Sequence, residues 1–247
     1  MKLGFIGHGN MAKAMIAGIT ASGLVKSDDI QTSHTDAGNQ AIIDFADIIF
    51  LAIKPQIINQ ALSNLTIPKD KLLVTMSPGV ATSNFPENKV IRTMPNTPAL
   101  VGEGVTAVCK NDKVTDAEYT QVKELLASFS TVYDFPESQM DATIALSGSS
   151  PAYVYYLIEA MADASSKDGI SRDIAIKMAA QTLLGTAKMV LASNDSPASL
   201  RERVCSKGGT TIEAVNVLTE KHFPDLIAEA MNACTARAKE MTQEFEA

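Results

Sequence analysis

The chain has 247 residues, 46% of them hydrophobic, with a formal net charge of −7 and three cysteines. That length holds one large domain or two modest ones, and so apolar a composition excludes disorder. The acidic balance gives no attraction to nucleic acid or to an anionic membrane surface.

The first element is the apolar run Leu3 to Ile6, read as a buried strand. It breaks at Gly7-x-Gly9-x-x-Ala12, and a helical pattern from Asn10 to about Ser22 follows. This is the strand–turn–helix setting of a dinucleotide fingerprint. Gly7 permits the tight turn, Gly9 lets a pyrophosphate approach the backbone, and Ala12 keeps helix close to strand. The N–H groups at Gly7, His8, Gly9, Asn10, Met11 and Ala12, at the positive end of the new helix, attract phosphate. The plain alternative is a glycine turn in an ordinary βα unit.

A second strand, Ile30 to Ser33, ends in Ser33-His34-Thr35, with Asp36 one place late. A carboxylate at the strand end would favour NAD; here two hydroxyls and an imidazole can donate to the extra phosphate of NADP. The reading leans to NADPH, with NADH as the alternative. Thr35 to Ala46 holds one short helix where a full mononucleotide-binding half needs more, so either a βα piece is absent or a loop is omitted.

Asp47 to Lys54 is a continuous apolar strand, as a central parallel strand should be. Ala52, Ile53, Lys54 and Pro55 lie at its C-terminal end, where open α/β sheets bind ligands, and Pro55 opens the next helix. Leu72 to Met76 and Lys89 to Met94 are further strands, closed by Ser77-Pro78-Gly79 and Pro95-Asn96-Thr97-Pro98. Prolines on both sides make Asn96 and Thr97 a rigid loop suited to a nicotinamide ribose. Gly104 to Cys109 is a strand. Thr115-x-x-Glu118 is a capping box for a helix, and Thr131 to Tyr133 completes the sheet.

Beyond Phe135 strand signals vanish and four or five helices follow, so domains are drawn at 1–138 and 139–247. Three long apolar helix faces in about a hundred residues predict packing between two copies of the chain. Two polar interruptions stand in this half. In Leu146-Ser-Gly-Ser-Ser-Pro-Ala-Tyr153, Pro151 fits a first helical turn, but capping alone does not need three serines and a glycine. In Val204-Cys-Ser-Lys-Gly-Gly-Thr-Thr211, Gly208 and Gly209 form an anion-binding nest, with Thr210 and Thr211 capping the next helix. Together these suit a small carboxylate; a well-capped turn is the alternative.

Cys109, Cys205 and Cys234 are too widely spaced for a disulfide framework or a zinc site, and His8, His34 and His222 are scattered, so no metal is expected. Reduced thiols point to a cytoplasmic protein. No apolar run approaches a membrane span, and glycine enters too early for a signal peptide.

With Phe5-Ile-Gly-His-Gly-Asn-Met-Ala12, Leu51-Ala-Ile-Lys-Pro55, Met94-Pro-Asn-Thr-Pro98, Leu146 to Tyr153 and Cys205 to Thr211 in hand, the chain resembles Δ1-pyrroline-5-carboxylate reductases nearly end to end. The resemblance implies an N-terminal Rossmann-like α/β dinucleotide-binding domain followed by an all-α dimerisation domain. It also implies NAD(P)H-dependent reduction of a cyclic imine to L-proline, in a homodimer or larger homo-oligomer. Thr211 is then expected to hydrogen-bond the ring nitrogen. Ser147 and Ser149, with the N–H groups of Gly208, Gly209 and Thr210, are expected to hold the carboxylate. Lys207, Asn194 and Arg203 depart from the usual family residues. The competing readings are a β-hydroxyacid-dehydrogenase-type oxidoreductase, which needs a base, commonly a lysine, whereas Lys167, Lys177 and Lys188 sit within helical patterns rather than in a glycine-bounded motif, and a non-catalytic dinucleotide-binding dimer.

Overall fold

The computed structural model describes residues 1–33 and 35–246. They form two compact units, one of Met1–Pro151 together with the stretch from Asn232, the other of Ala152–Met231. The first unit carries β1 (Leu3–Ile6), α1 (Asn10–Ser22), β2 (Ile30–Ser33), α2 (Asp36–Phe45), β3 (Ile48–Leu51), α3 (Pro55–Leu62), β4 (Leu72–Thr75) and β5 (Lys89–Met94). It continues with β6 (Gly104–Lys110), α4 (Asp116–Ala127), β7 (Ser130–Asp134) and α5 (Met140–Thr143).

The seven strands lie in the order β2-β1-β3-β4-β5-β6-β7. All neighbours are parallel except β5 and β6. Side-chain alternation divides the core in two. Leu3, Phe5, Ile48, Phe50, Leu72 and Val74 face one side, with Met15 and Ile19 of α1 and Val122, Leu125 and Leu126 of α4. Phe5 stacks on Phe50 at 4.6 Å between ring centroids. Ile6, Ile49, Leu51, Leu73 and Val90 face the other side with Ile42 and Ile43 of α2. Helix approach is close: a Cβ on Gly4 would lie 2.5 Å from Ile42, and one on Gly18 would lie 2.6 Å from Phe129.

The described residues between β2 and β3 hold a single helix. Helix α2 runs directly from β2 to β3, and β3 pairs with β1. The usual dinucleotide-binding order has one more strand outside the second. Among the described residues none lies beyond β2, so the absent βα piece is that outer strand.

The domain boundary drawn at 138–139 falls inside the first unit, because the chain after Pro136 stays on the sheet. Met140 and Ile144 pack with Met94, Ala107, Cys109 and Ala238. Burial pushes the Cys109 thiol up to about 12, with Glu137 adding to the rise and Arg92 opposing it. A thiolate is the reactive form. Labelling the native protein with a thiol reagent at neutral pH, followed by peptide mapping, is therefore expected to leave Cys109 unmodified until the chain is unfolded.

The second unit is helical: most of α6 (Ser150–Lys167), α7 (Arg172–Ala192), α8 (Pro197–Val204), α9 (Thr210–Glu220) and the start of α10 (Phe223–Glu246). Helix α10 begins in this unit, and its part from Asn232 belongs to the first. Many large apolar side chains are exposed here, among them Tyr156, Met178, Met189, Leu191 and Leu226. Helix α7 is long and apolar enough, by length and composition alone, to cross a membrane. It is not an uninterrupted apolar run, since Asp173, Lys177, Gln181 and Lys188 divide it.

Candidate functional site

The fingerprint is built as its residue types require. Gly7 N–H donates to the Ser33 carbonyl (2.9 Å), and Ala52 N–H donates to that of Ile6 (2.8 Å). Gly7 has φ +101°, and a Cβ there would lie 2.4 Å from the Ala52 carbonyl oxygen. Only glycine fits such a turn. Gly9 is the N-cap of α1, and no side chain caps the helix. Among the described residues, a Cβ on Gly9 would meet no atom within 4 Å beyond its chain neighbours, whereas Ala12 is fully buried. The first N–H groups of α1 thus face outward past a residue with no side chain, and a dinucleotide pyrophosphate fits there.

Ala52 and Ile53 reach the same place. A Cβ on Gly7 would also lie 2.8 Å from Ile53 Cγ2. Lys54 is exposed and is the N-cap of α3, with Pro55 its first residue. Ser77, read from sequence only as a turn residue, fixes the loop after β3 by donating to the Ile53 carbonyl at 2.5 Å. Ser33 is placed differently from expectation. It is buried, and its hydroxyl donates to the Thr35 carbonyl (2.9 Å), so that proton is directed into its own turn rather than outward. The expectation for His34 lies outside the described residues.

The proline-bracketed loop leaves the C-terminal end of β5, on the same sheet edge as the Gly7 turn, since β1, β3, β4 and β5 run parallel. Thr97 is exposed, but Asn96 is buried. Asn96 Oδ1 accepts from Val105 N–H at 2.9 Å, and its Nδ2 donates to the Ser147 carbonyl at 3.1 Å. The carboxamide is engaged at both ends.

Ser147 and Gly148 sit in a π-helical turn, Ile144–Gly148, which Ser149 N–H closes on the Ile144 carbonyl at 2.7 Å. Single π turns recur at functional sites. Met94 lies against Gly148, 3.3 Å from where a Cβ would stand. The two serines differ. Ser147 Oγ donates back to the Thr143 carbonyl (3.1 Å), whereas Ser149 Oγ accepts from the Cys234 thiol (3.4 Å). The Cys234 contact leaves the Ser149 hydroxyl proton undonated.

In the second unit the glycine pair behaves as a turn before a helix. Gly208 has φ +73°, and Gly209 N–H donates to the Ser206 carbonyl at 3.0 Å. A Cβ on Gly209 would lie 2.4 Å from Ser206 Oγ. The N-cap of α9 is Gly209 itself, with no side-chain cap. This corrects the expectation that Thr210 and Thr211 cap the helix: they are its first two residues. Arg203 makes two 2.8 Å contacts to Asp195, which also accepts from Ser193 Oγ at 2.9 Å. The pairing neutralises the charge that sets Arg203 apart from family usage.

Neither polar turn contains His, Asp or Glu. Among the described residues no group of His, Cys, Asp and Glu could hold a metal ion.

The family model described as pyrroline-5-carboxylate reductase dimerisation matches residues 137–241, and that of the coenzyme F420-dependent NADP oxidoreductases matches residues 2–79. Pyrroline-5-carboxylate reductase of Escherichia coli (strain K12) is 40% identical over 265 aligned positions, covering 98% of each chain. That of Synechocystis is 34% identical over 262 positions, covering 98% of each. Both alignments exceed 247 positions, so these relatives hold residues that this chain lacks. The crystal structure of Plasmodium falciparum pyrroline carboxylate reductase with NADP bound is 30% identical, covers 98% of each chain and superposes with a TM-score of 0.90. The dimerisation match accounts for the uncovered apolar helices as a homo-oligomer surface. With two relatives above 30% identity along almost its whole length, the chain belongs to the pyrroline-5-carboxylate reductase family.

Proposed function

We propose that the chain reduces Δ1-pyrroline-5-carboxylate to L-proline, the last step of proline biosynthesis, with NADPH as the preferred reductant and NADH the weaker one. The carrying observation is the serine turn at Ile144–Gly148, tied through Asn96 to the sheet edge that bears the nucleotide fingerprint. The reduced nicotinamide supplies hydride to the imine carbon. The chain's residues hold and orient. The N–H groups from Gly9 onward take the pyrophosphate, beside Ala52 and Ile53. Ser149 and the N–H groups of Gly208, Gly209 and Thr210 take the substrate carboxylate, and Ser147 joins them once its hydroxyl turns from the Thr143 carbonyl. Thr211 hydrogen-bonds the ring nitrogen. A cyclic imine is readily protonated from water, so a site of hydroxyls and N–H groups suffices without a built-in acid. Orientation of donor and acceptor then supplies much of the rate.

The chain works as a homodimer or a larger homo-oligomer in the cytoplasm, where its three cysteines stay reduced, and its partners include neither nucleic acid nor membrane. The apolar surface of α7 is assigned to the homo-oligomer contact.

The test is oxidation of NADPH and NADH, separately, with pyrroline-5-carboxylate, followed by loss of the reduced nicotinamide absorbance. Proline-dependent reduction of the oxidised cofactor, run against 3-hydroxy acids, separates this reading from a hydroxyacid dehydrogenase. Turnover of hydroxy acids alone would overturn it. Gly7→Ala forces a side chain into a left-handed turn against the Ala52 carbonyl, a strain of roughly 1–3 kcal/mol. It is expected to weaken NADPH binding about tenfold or more by fluorescence titration, while leaving the KM for the imine acid nearly unchanged.

A further inference from the structure

The structure assigns Asn96 as a positioning residue for the serine turn rather than a direct contact to the cofactor; we propose that its carboxamide sets where Ser149 stands. This deepens the function proposed above and rests on it for its kinetic test.

The orientation of the amide is fixed by its neighbours. Val105 N–H can only donate, so it must meet Oδ1, and Nδ2 is left facing the Ser147 carbonyl, which can only accept. The 2.9 Å bond ties the loop to Val105 on β6, nine residues on, and the 3.1 Å bond ties it to the π turn 51 residues on. The Ser147 carbonyl has no i+4 amide to accept from, because position 151 is proline, and Asn96 Nδ2 supplies a donor in its place. The same turn is held from its other side by Cys234 of α10 on Ser149 Oγ, and from below by Met94 against Gly148. Arg92, two residues before Met94 on β5, makes a 2.6 Å ion pair with Asp141 at the start of the same segment. Segment 140–149 is therefore fixed to β5 and its following loop at both ends. Asn96 is the end next to the serines, and its buried carboxamide is oriented by these two bonds.

Asn96→Asp tests this with little change of shape. The carboxylate still accepts from Val105 N–H, but it places an oxygen against the Ser147 carbonyl. The expected result is a fall in kcat/KM for pyrroline-5-carboxylate of about thirtyfold or more, with the NADPH dissociation constant within twofold. Ser149→Ala in the Asn96→Asp background is expected to lose less than about a third of the factor it loses alone, since both changes act on one turn. Weakened NADPH binding with an unchanged KM for the imine acid would instead make Asn96 a cofactor contact and overturn the assignment, as would fully multiplicative losses. Hydrogen exchange at the Ser149 amide reads the turn without any substrate. Protection is expected to fall in Asn96→Asp and, should that variant fold poorly, in Asn96→Ala. Unchanged protection would also overturn the assignment. An inert wild-type enzyme would defeat the proposed reaction, and the exchange result would still decide the role of Asn96.

Discussion

Thr211→Ala is expected to lower kcat by about 10²- to 10³-fold while moving the NADPH dissociation constant by less than twofold. The magnitude is that of removing one oriented hydrogen-bonding group from a site where charge changes during reaction. In the proposed reaction the imine nitrogen loses its positive character as hydride arrives, and the role proposed for the Thr211 hydroxyl is to hold the ring in line. The substitution is clean because Thr211 is not a cap. It is the second residue of α9, whose N-cap is Gly209 with no side-chain bond. Alanine is also a better helix former than threonine. Stability should therefore hold, and Thr211→Ser should restore most of the turnover. Single-turnover kinetics with titrated cofactor separate the two effects. Equal loss of cofactor affinity and turnover would show that Thr211 does not act on the substrate.

The second large effect is structural. Arg92→Met is expected to destabilise the protein by about 3–5 kcal/mol, the cost of leaving a buried charge without its partner. The Arg92 side chain is only 3% exposed, and Asp141 is 18% exposed. Glu137 lies 3.8 Å from the guanidinium and also accepts from Thr82, at 2.7 Å from its N–H and 2.6 Å from its hydroxyl. Thr242 near the end of α10 reaches the other oxygen of Asp141 at 3.5 Å. One arginine thus holds together the loop after β4, the start of α5 and the last turns of α10. Its Nε is buried and has no hydrogen-bond partner among the described residues, so the cluster is strong but not fully satisfied. The double variant Arg92→Met with Asp141→Asn should lose less than the two single losses added, because neither change then strands a charge. For a chain of this size the single variant lowers Tm by roughly 10 °C. A loss under about 1 kcal/mol in urea unfolding would mean that water reaches Asp141 freely.

Sequence reasoning worked where glycine and proline punctuate the chain. Helix α1 runs from Asn10 to Ser22 as read, because Gly9 and Gly23 bound it, and Gly23 closes it in a left-handed turn. The capping box at Thr115 and Glu118 is present. What stayed hidden depends on contacts across long sequence gaps. Nothing in the letters of β5 and β6 marks their pairing as antiparallel. A π turn has no residue signature, so Ser147-Gly-Ser149 looked like loop. The two bonds that engage Asn96 were equally hidden, because its partners, Val105 and Ser147, lie 9 and 51 residues away. Asn194 and Arg203 could be noted as departures, but the Asp195 pairing that neutralises the arginine needs the fold to bring the two residues together.

The early end of the sheet at β2 has a consequence for crowding. Its outward backbone amides and carbonyls form a bare rim on which a neighbouring molecule could lay a strand of its own. The rim is four residues long, and Gln31 in its middle is exposed to water. A foreign strand would gain only a few hydrogen bonds there before running off the end, so discarding the outer strand costs this protein little in resistance to clumping.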